Sequence, residues 1–468
     1  ALPGRLSTLS AQSLDFGFSP AHELRTLLAS GAARLQLGGP RPQSLAAPSL
    51  AFDFAARLAR VPRLAAVRSL GRATVQLAPT GQGSGPVVAR ADIVRLQLDA
   101  DQHPQRGLAT GHVELTQLAG SEVRSSQCDR LDLLFTPVTV SREGGAALRE
   151  AIETGQVQLR QGERVVSGDR LVYHPADGSA EITAAPSSGF SHGFVRGEDP
   201  LTRFQARSLT WTSQLRRGGL LRARGDVSLS RAAAPTGASA PAGFGSNLPF
   251  VVTANALDWS QPPTPPAARV NSFGAASFRG AVRLLQSPNL LTADQLDLDQ
   301  AAGTLLARGH VRTNFAAPPG TSAAAPGLAH RTARPTAVEI QSDSLLFQQA
   351  AGVATYRGGV AMHTGDAHLT APELQVWLTQ GAHGAGRLER ALAQGGVNLA
   401  QPGRTASSRQ LRYDFAAGRV ELLGGPPSIF DAEHGQIHGD PLTFFLANDE
   451  IQVGSPQGAR AEGQTVVH

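Results

Sequence analysis

A short phrase recurs along this chain and sets the limits on its fold. Small and polar residues lead into Leu-x-apolar, a Gly-bearing turn follows, and Gly-x-Val-x-Leu closes the unit. The clearest copy runs Leu291, Thr292, Ala293, Asp294, Gln295, Leu296, Asp297, Leu298, Asp299, turns at Ala302 and Gly303, and continues through Arg308, Gly309, His310 and Val311. A second runs from Gln341 to Phe347, turns at Gly352 and resumes through Gly358, Gly359, Val360, Ala361 and Met362. A third joins Glu373, Leu374, Gln375, Val376 and Trp377 to Gly395, Gly396, Val397, Asn398 and Leu399. A fourth joins Leu411, Arg412, Tyr413 and Asp414 to Val420, Glu421 and Leu422 across Gly418. In the first half, Gly31, Gly71, Gly111 and Gly155 stand 40, 40 and 44 residues apart, and each precedes an alternating stretch. Gly225 and Gly280 continue the series, so the repeat covers nearly the whole sequence.

Within each copy apolar and polar residues alternate. Val94, Leu96 and Leu98 share one face and Arg95 and Gln97 the other, which is the pattern of a half-buried strand. Glycine at the turns permits positive φ, so tight hairpins are expected there. Helical periodicity is poor. Residues 55–70 are the best helix candidate, and Pro62 interrupts them. The predicted class is all-β. Three stretches rich in Pro and Ala, 231–249, 261–268 and 315–336, fall between the end of one strand and the start of the next. They read as loops inserted into a repeat architecture, with an N-terminal part over 1–230 and a C-terminal part over 250–468.

Composition removes several chemistries. All 42 basic residues are Arg, so no side-chain amine is present for a P-loop, a Schiff base or a Ser-x-x-Lys acylation. A net charge of +5 over 468 residues is a weak footprint for nucleic acid, and no such partner is expected. The single Cys128 excludes an intramolecular disulfide framework and a multi-Cys zinc site. No run of 18 apolar residues is long enough to span a membrane as a helix. The sequence opens on Ala1, Leu2, Pro3 and Gly4, and reads as a processed product whose targeting or anchoring segment lies outside it.

Candidate catalytic and metal motifs are weak. Gly189, Phe190, Ser191, His192 and Gly193 spell a nucleophile elbow, but without the strand before and helix after that the elbow needs, so a loop is expected. His434 and His438, near Asp431, Glu433 and Asp440, would lie ~13 Å apart in a strand, too far for one ion. His363 and His368 are expected on opposite faces, exposed. The pairs Asp297/Asp299 and Asp99/Asp101 read as solvated acids, and Cys128 as a small structural residue. Gly384, Ala385 and Gly386 read as a loop. Arg216, Arg217, Arg222 and Arg224 form the densest basic cluster, either a phosphate contact or a solvated face. No catalytic residue, metal or cofactor is expected, and the chain does not read as an enzyme.

A half-buried sheet must cover its apolar face. On the residues alone two outcomes remain open: a dry core of Val and Leu, or an apolar groove that takes acyl chains at ~0.8 kcal/mol per buried CH₂. A resemblance bears on the choice. Thr292 to Leu298 followed by Ala307, Arg308, Gly309, His310 and Val311 resembles the OstA-like repeat of the periplasmic lipopolysaccharide-transport proteins. So do Gly168 to Tyr173 with Ala184, Ala185 and Pro186, and Leu411 to Asp414 with Leu423, Gly424, Gly425 and Pro426. It is strong over about 289–453, moderate over 94–230 and weak before that.

The resemblance implies an elongated, stacked antiparallel β-jellyroll with an apolar groove. The N-terminal part would correspond to the inner-membrane-anchored member of the family, fused to the bridge component. The implied function is passive carriage of lipid A acyl chains from inner to outer membrane. The implied groove lining is Leu296, Leu298, Val311, Leu345, Phe347, Val360, Met362, Leu374, Val376, Val397, Leu399, Leu411, Tyr413 and Phe415. The implied partners are lipopolysaccharide or a related glycolipid, other β-jellyrolls of the system joined through edge strands, an inner-membrane ABC transporter and an outer-membrane translocon. The implied location is periplasmic, with any inner-membrane anchor on a segment outside this sequence. The rival reading is a structural β-solenoid or surface stalk without a lipid ligand. Intervals of 29 residues from Gly280 to Gly309 and 49 from Gly309 to Gly358 are uneven for regular rungs.

Overall fold

The structure is a computed structural model. It describes residues 7–464 apart from 38–42, 56–62, 78–83, 101–102, 120–121, 139–144, 187–192, 215–217, 234–247, 261–273, 316–336, 382–383, 434, 446–450 and 455–461. Every regular element among the described residues is a β-strand, and all the pairings are antiparallel. No helix there is long and apolar enough to cross a membrane. The chain divides into two units, 1–224 and 225–468.

The second unit is a meander of long strands: Phe250–Ser260, Ala275–Gln286, Asn289–Asp299, Thr304–Phe315, Val338–Gln348, Val353–Thr364, Ala367–Gly381, Gly384–Gln401 and Arg404–Asp414. Each pairs with the next. Thereafter the strands come in short halves: Arg419–Leu423 and Ser428–Asp431 both pair with Arg404–Asp414.

One irregularity crosses the whole meander. The register shifts between Arg279 and Val282, between Thr292 and Gln295, between Arg308 and Val311, and at the matching point of each later pair. On every second strand two consecutive residues there take left-handed φ: Gly280 and Ala281, Gly309 and His310, Gly358 and Gly359, Gly395 and Gly396. Opposite each glycine stands Asn255, Asp294, Asp343 or Pro372 of the preceding strand. Such bulges bend a strand and re-aim its side chains. In Asn289–Asp299 the buried residues run Leu291, Ala293, then Leu296, Leu298, changing parity across the bend. Without that change one arm would turn its Leu residues outward, since a strand alternates faces with period two. Both arms therefore present apolar residues to one interior.

The repeat glycines are thus mid-strand bends and not hairpin turns: Gly309 lies inside Thr304–Phe315 and Gly111 inside Pro104–Ala119. The hairpins are made at Gly303, Gly352 and Gly418, as expected. The helix candidate at 55–70 is also corrected. Residues 63–70 form the strand Arg63–Leu70, and Ala55 closes Gln43–Ala55. Past a register shift at Asp53 and Phe54, Val67 and Ser69 are buried while Arg68 and Leu70 are exposed, the alternation of a sheet. Gly384, Ala385 and Gly386 open a strand and are not a loop.

The first unit repeats the scheme. Gly31 with Ala32, Gly111 with His112 and Gly155 with Gln156 take left-handed φ at register shifts. At Gly71 the bend becomes a break, and Arg63–Leu70 and Ala73–Leu77 both pair with Gln43–Ala55. Ala29, Ala33, Leu45, Leu50, Phe52 and Val67 belong to its buried core.

The enclosed apolar interior as a candidate functional site

In the second unit direct cross-strand partners build unbroken inner rows. On one arm Leu257, Phe278, Leu296, Ala307, Leu345, Tyr356, Leu374, Ala393, Leu411 and Leu422 succeed one another across ten strands. All are buried. Beside them run Ala276, Leu298, Leu305, Phe347, Ala354, Val376, Ala391, Tyr413 and Val420. The other arm contributes Leu284, Leu291, Thr313, Ile340, Met362, Leu369 and Leu399. The row is large throughout except at Ala307 and Ala393.

The fourteen residues expected to line a groove fall on this geometry as follows. Leu296, Leu345, Leu374 and Leu411 stand in the first row, and Leu298, Phe347, Val376 and Tyr413 in the second. Met362 and Leu399 belong to the other arm, while Val311, Val360 and Val397 flank the bend and are buried. Phe415 lies just past Arg404–Asp414, half-buried, its ring 4.3 Å from that of Tyr413. The other thirteen are at most 9 % exposed. The interior is therefore closed around them and is not an open, water-filled channel at these positions.

Two inner-facing polar residues escaped the sequence reading. Tyr356 and Thr313 are wholly buried, and neither Tyr356 Oη nor Thr313 Oγ1 has a hydrogen-bond partner among the described residues. In the first unit Glu153 takes a place in the inner row Ala109, Leu131, Glu153, Leu171, Ile182 and Leu209. Burial pushes its carboxyl up to about 7, while a hydrogen bond from Ser126 Oγ opposes that push. The signal for Glu153 was its spacing of four from Val157, which a period of two places on one face. Cys128 is buried nearby, and desolvation pushes its thiol up to about 12, which leaves it protonated and inert.

The outer face is polar and internally paired. Arg279 meets Asp258 at 3.0 Å, Arg308 meets Asp297 at 3.0 Å and Arg357 meets Glu373 at 2.9 Å. Asp297 also accepts from Ser277 and Gln295, so it is not a free carboxylate. Exposed pairs of this kind add little stability each and keep the sheet soluble. His363 and His368, expected on opposite faces, are direct cross-strand partners with rings stacked 4.3 Å apart. The hairpin at Gly365 and Asp366 places residues five apart opposite one another. No group of three His, Cys, Asp or Glu among the described residues could hold a metal ion. Ser191, Arg216, Arg217 and His434 lie outside the described residues.

An antiparallel meander bent along one line, with its apolar side folded inward, defines a class of all-β proteins built to enclose an apolar interior. Residues 339–449 match the family model described as LptA/(LptD N-terminal domain) LPS transport protein. Those residues fall within the stretch, about 289–453, where the likeness to the OstA-like repeat is strong. A solved relative is LptH, the LptA homologous periplasmic component of the lipopolysaccharide transport device from Pseudomonas aeruginosa. It is 18% identical, the match covering 28% of this chain and 94% of that one, with a TM-score of 0.25. No curated protein matches the chain.

Proposed function

We propose that this chain carries acyl chains of lipopolysaccharide, or of a related glycolipid, through the periplasm inside its folded sheets, as a bridge component between the inner and outer membranes. The observation that carries the reading is the apolar inner row maintained across ten strands, in a chain with a family match over 339–449. A core that only had to be stable could be shorter and could tolerate breaks. An unbroken row lets a chain slide with little change in its surroundings, which is what passive conduction asks of a wall.

The lining side chains are buried among one another, so acyl chains enter by parting the two arms. The glycine pairs at the bend, such as Gly358 with Gly359, supply the freedom for that motion. Burial of each CH₂ returns ~0.8 kcal/mol, so a dozen carbons offset the loss of arm-to-arm contact. An inner-membrane ABC transporter would drive the flow, and an outer-membrane translocon would receive it.

The edges suit head-to-tail joining. Among the described residues Ser13–Phe18 pairs only with Leu24–Leu37, and it exposes Leu14, Phe16 and Phe18 on one face. A second jellyroll could add its edge there. In this reading the first unit plays the part of the anchored member and the second the bridge.

Closed packing of the lining favours one rival, a stalk with a dry core. The two are separated by mass spectrometry of lipid co-purifying with the protein and by photocrosslinkers at Leu374, Val397 and Tyr413. Lipid adducts at these positions support carriage. Their absence at all three, with no co-purifying lipid, leaves the stalk.

A further inference from the structure

The interior of the second unit contains two hydroxyls without a full hydrogen bond among the described residues. Tyr356 belongs to Val353–Thr364, on the arm formed by residues 353–357, between Leu345 and Leu374. Thr313 belongs to Thr304–Phe315, on the other arm, between Leu291 and Ile340. Both side chains are fully buried, and their four row neighbours are buried and apolar. Burial pushes the Tyr356 phenol upward, and a hydrogen-bonding approach of Thr313 opposes that push, so the two side chains stand near one another. The approach falls short of full hydrogen-bond geometry, and neither oxygen has another partner among the described residues.

An orphaned buried hydroxyl is costly, and either could have been avoided by a near-isosteric Phe or Val. A resident water bridging these two oxygens would sit at the bottom of the two to four partners that a buried water usually makes. A hydroxyl brought in on an apolar chain fits better. The chain is held by the walls, and its oxygen can accept from one protein hydroxyl and donate to the other.

We propose that Tyr356 and Thr313 form a polar station inside the second unit that recognises a hydroxyl carried partway along an acyl chain. The inference rests on the carrier reading and deepens it: the station selects among the chains that the apolar walls admit. Each residue is a specificity determinant and neither touches any chemistry.

The test uses the full chain and displacement of a fluorescent fatty-acid probe. Competitors are tetradecanoate and its monohydroxylated positional isomers. At least one isomer is expected to bind about fivefold more tightly than tetradecanoate, the worth of roughly one net hydrogen bond. Tyr356→Phe and Thr313→Val should each erase that preference, so that hydroxylated and plain chains bind alike. Equal affinity for every isomer and for tetradecanoate overturns the station and leaves the carrier reading standing. Failure of every acid to displace or bind overturns both. Thermal melting of ligand-free Tyr356→Phe gives a second readout. An unchanged or higher Tm agrees with an orphaned hydroxyl, and a marked fall means that the phenol has a partner within the protein and sinks the proposal.

Discussion

Asp294 Cβ and Cγ lie 2.9 Å from the point where a Cβ on Gly309 would stand, and Gly309 itself holds φ at +74°. The bend of Thr304–Phe315 thus depends on the lack of a side chain for two separate reasons: the backbone conformation and the carboxylate beneath it. Left-handed backbone costs an L-residue ~1–2 kcal/mol, and a clash with a neighbouring strand adds to it. Gly309→Ala should lower unfolding stability by about 2–4 kcal/mol in urea titration. Asp294→Gly should recover part of the loss, because it removes the Cβ and the carboxylate that the new methyl meets. Additive losses in the double variant would contradict this account.

Glu153 makes the first unit sensitive to pH. Its carboxyl is raised from the ordinary 4.5 to about 7 by burial, so folding favours the protonated form. Its protonated form is at no disadvantage below pH 4.5. Between pH 4.5 and 7 the unfolded chain ionises while the folded one resists, and stability falls. Above pH 7 the loss levels off at about 3 kcal/mol. Glu153→Gln keeps a partner for Ser126 and removes the titration. Denaturation of the two proteins at pH 5 and pH 8 should show the wild type losing stability and Glu153→Gln holding it; parallel behaviour would refute the assignment.

Arg404 and Asp431 form a nearly enclosed ion pair late in the second unit. Arg404 Nε and Nη2 donate to Asp431 Oδ2 at 3.0 and 2.8 Å, and the guanidinium lies 6.0 Å from the Phe444 ring centroid. Removing the carboxylate takes two charge-assisted hydrogen bonds from a guanidinium that has little water around it. Asp431→Ala should cost about 3–5 kcal/mol, measured by chemical denaturation. Changing both residues to apolar ones of similar size should cost less than the single change.

The edge strand Ser13–Phe18 exposes Phe16 at 53 % and Phe18 at 62 %. If this edge accepts another jellyroll, Phe16→Asp with Phe18→Asp should weaken assembly at least tenfold in sedimentation analysis, with Tm nearly unchanged. A fall in Tm without a change in assembly would assign these rings to packing within the fold.

Alternation of Leu and Val with Arg, Gln and Asp was enough to specify strands, the hairpins at Gly303 and Gly352, and the inner membership of residues such as Leu296 and Val376. These are properties of one strand and its neighbour in sequence, and period two carries them. The family likeness was readable for the same reason, since its phrase is local. The role of Gly309 and Gly358 was not readable, because a glycine before a strand and a glycine that folds a strand in half look alike along the chain. Nor was the closure of the lining, the meeting of His363 with His368, or the stranding of Tyr356 opposite Thr313. Each of those depends on which side chains arrive from other strands and from the opposite arm. That distance-dependent packing exists only after the sheet has bent over its own apolar face.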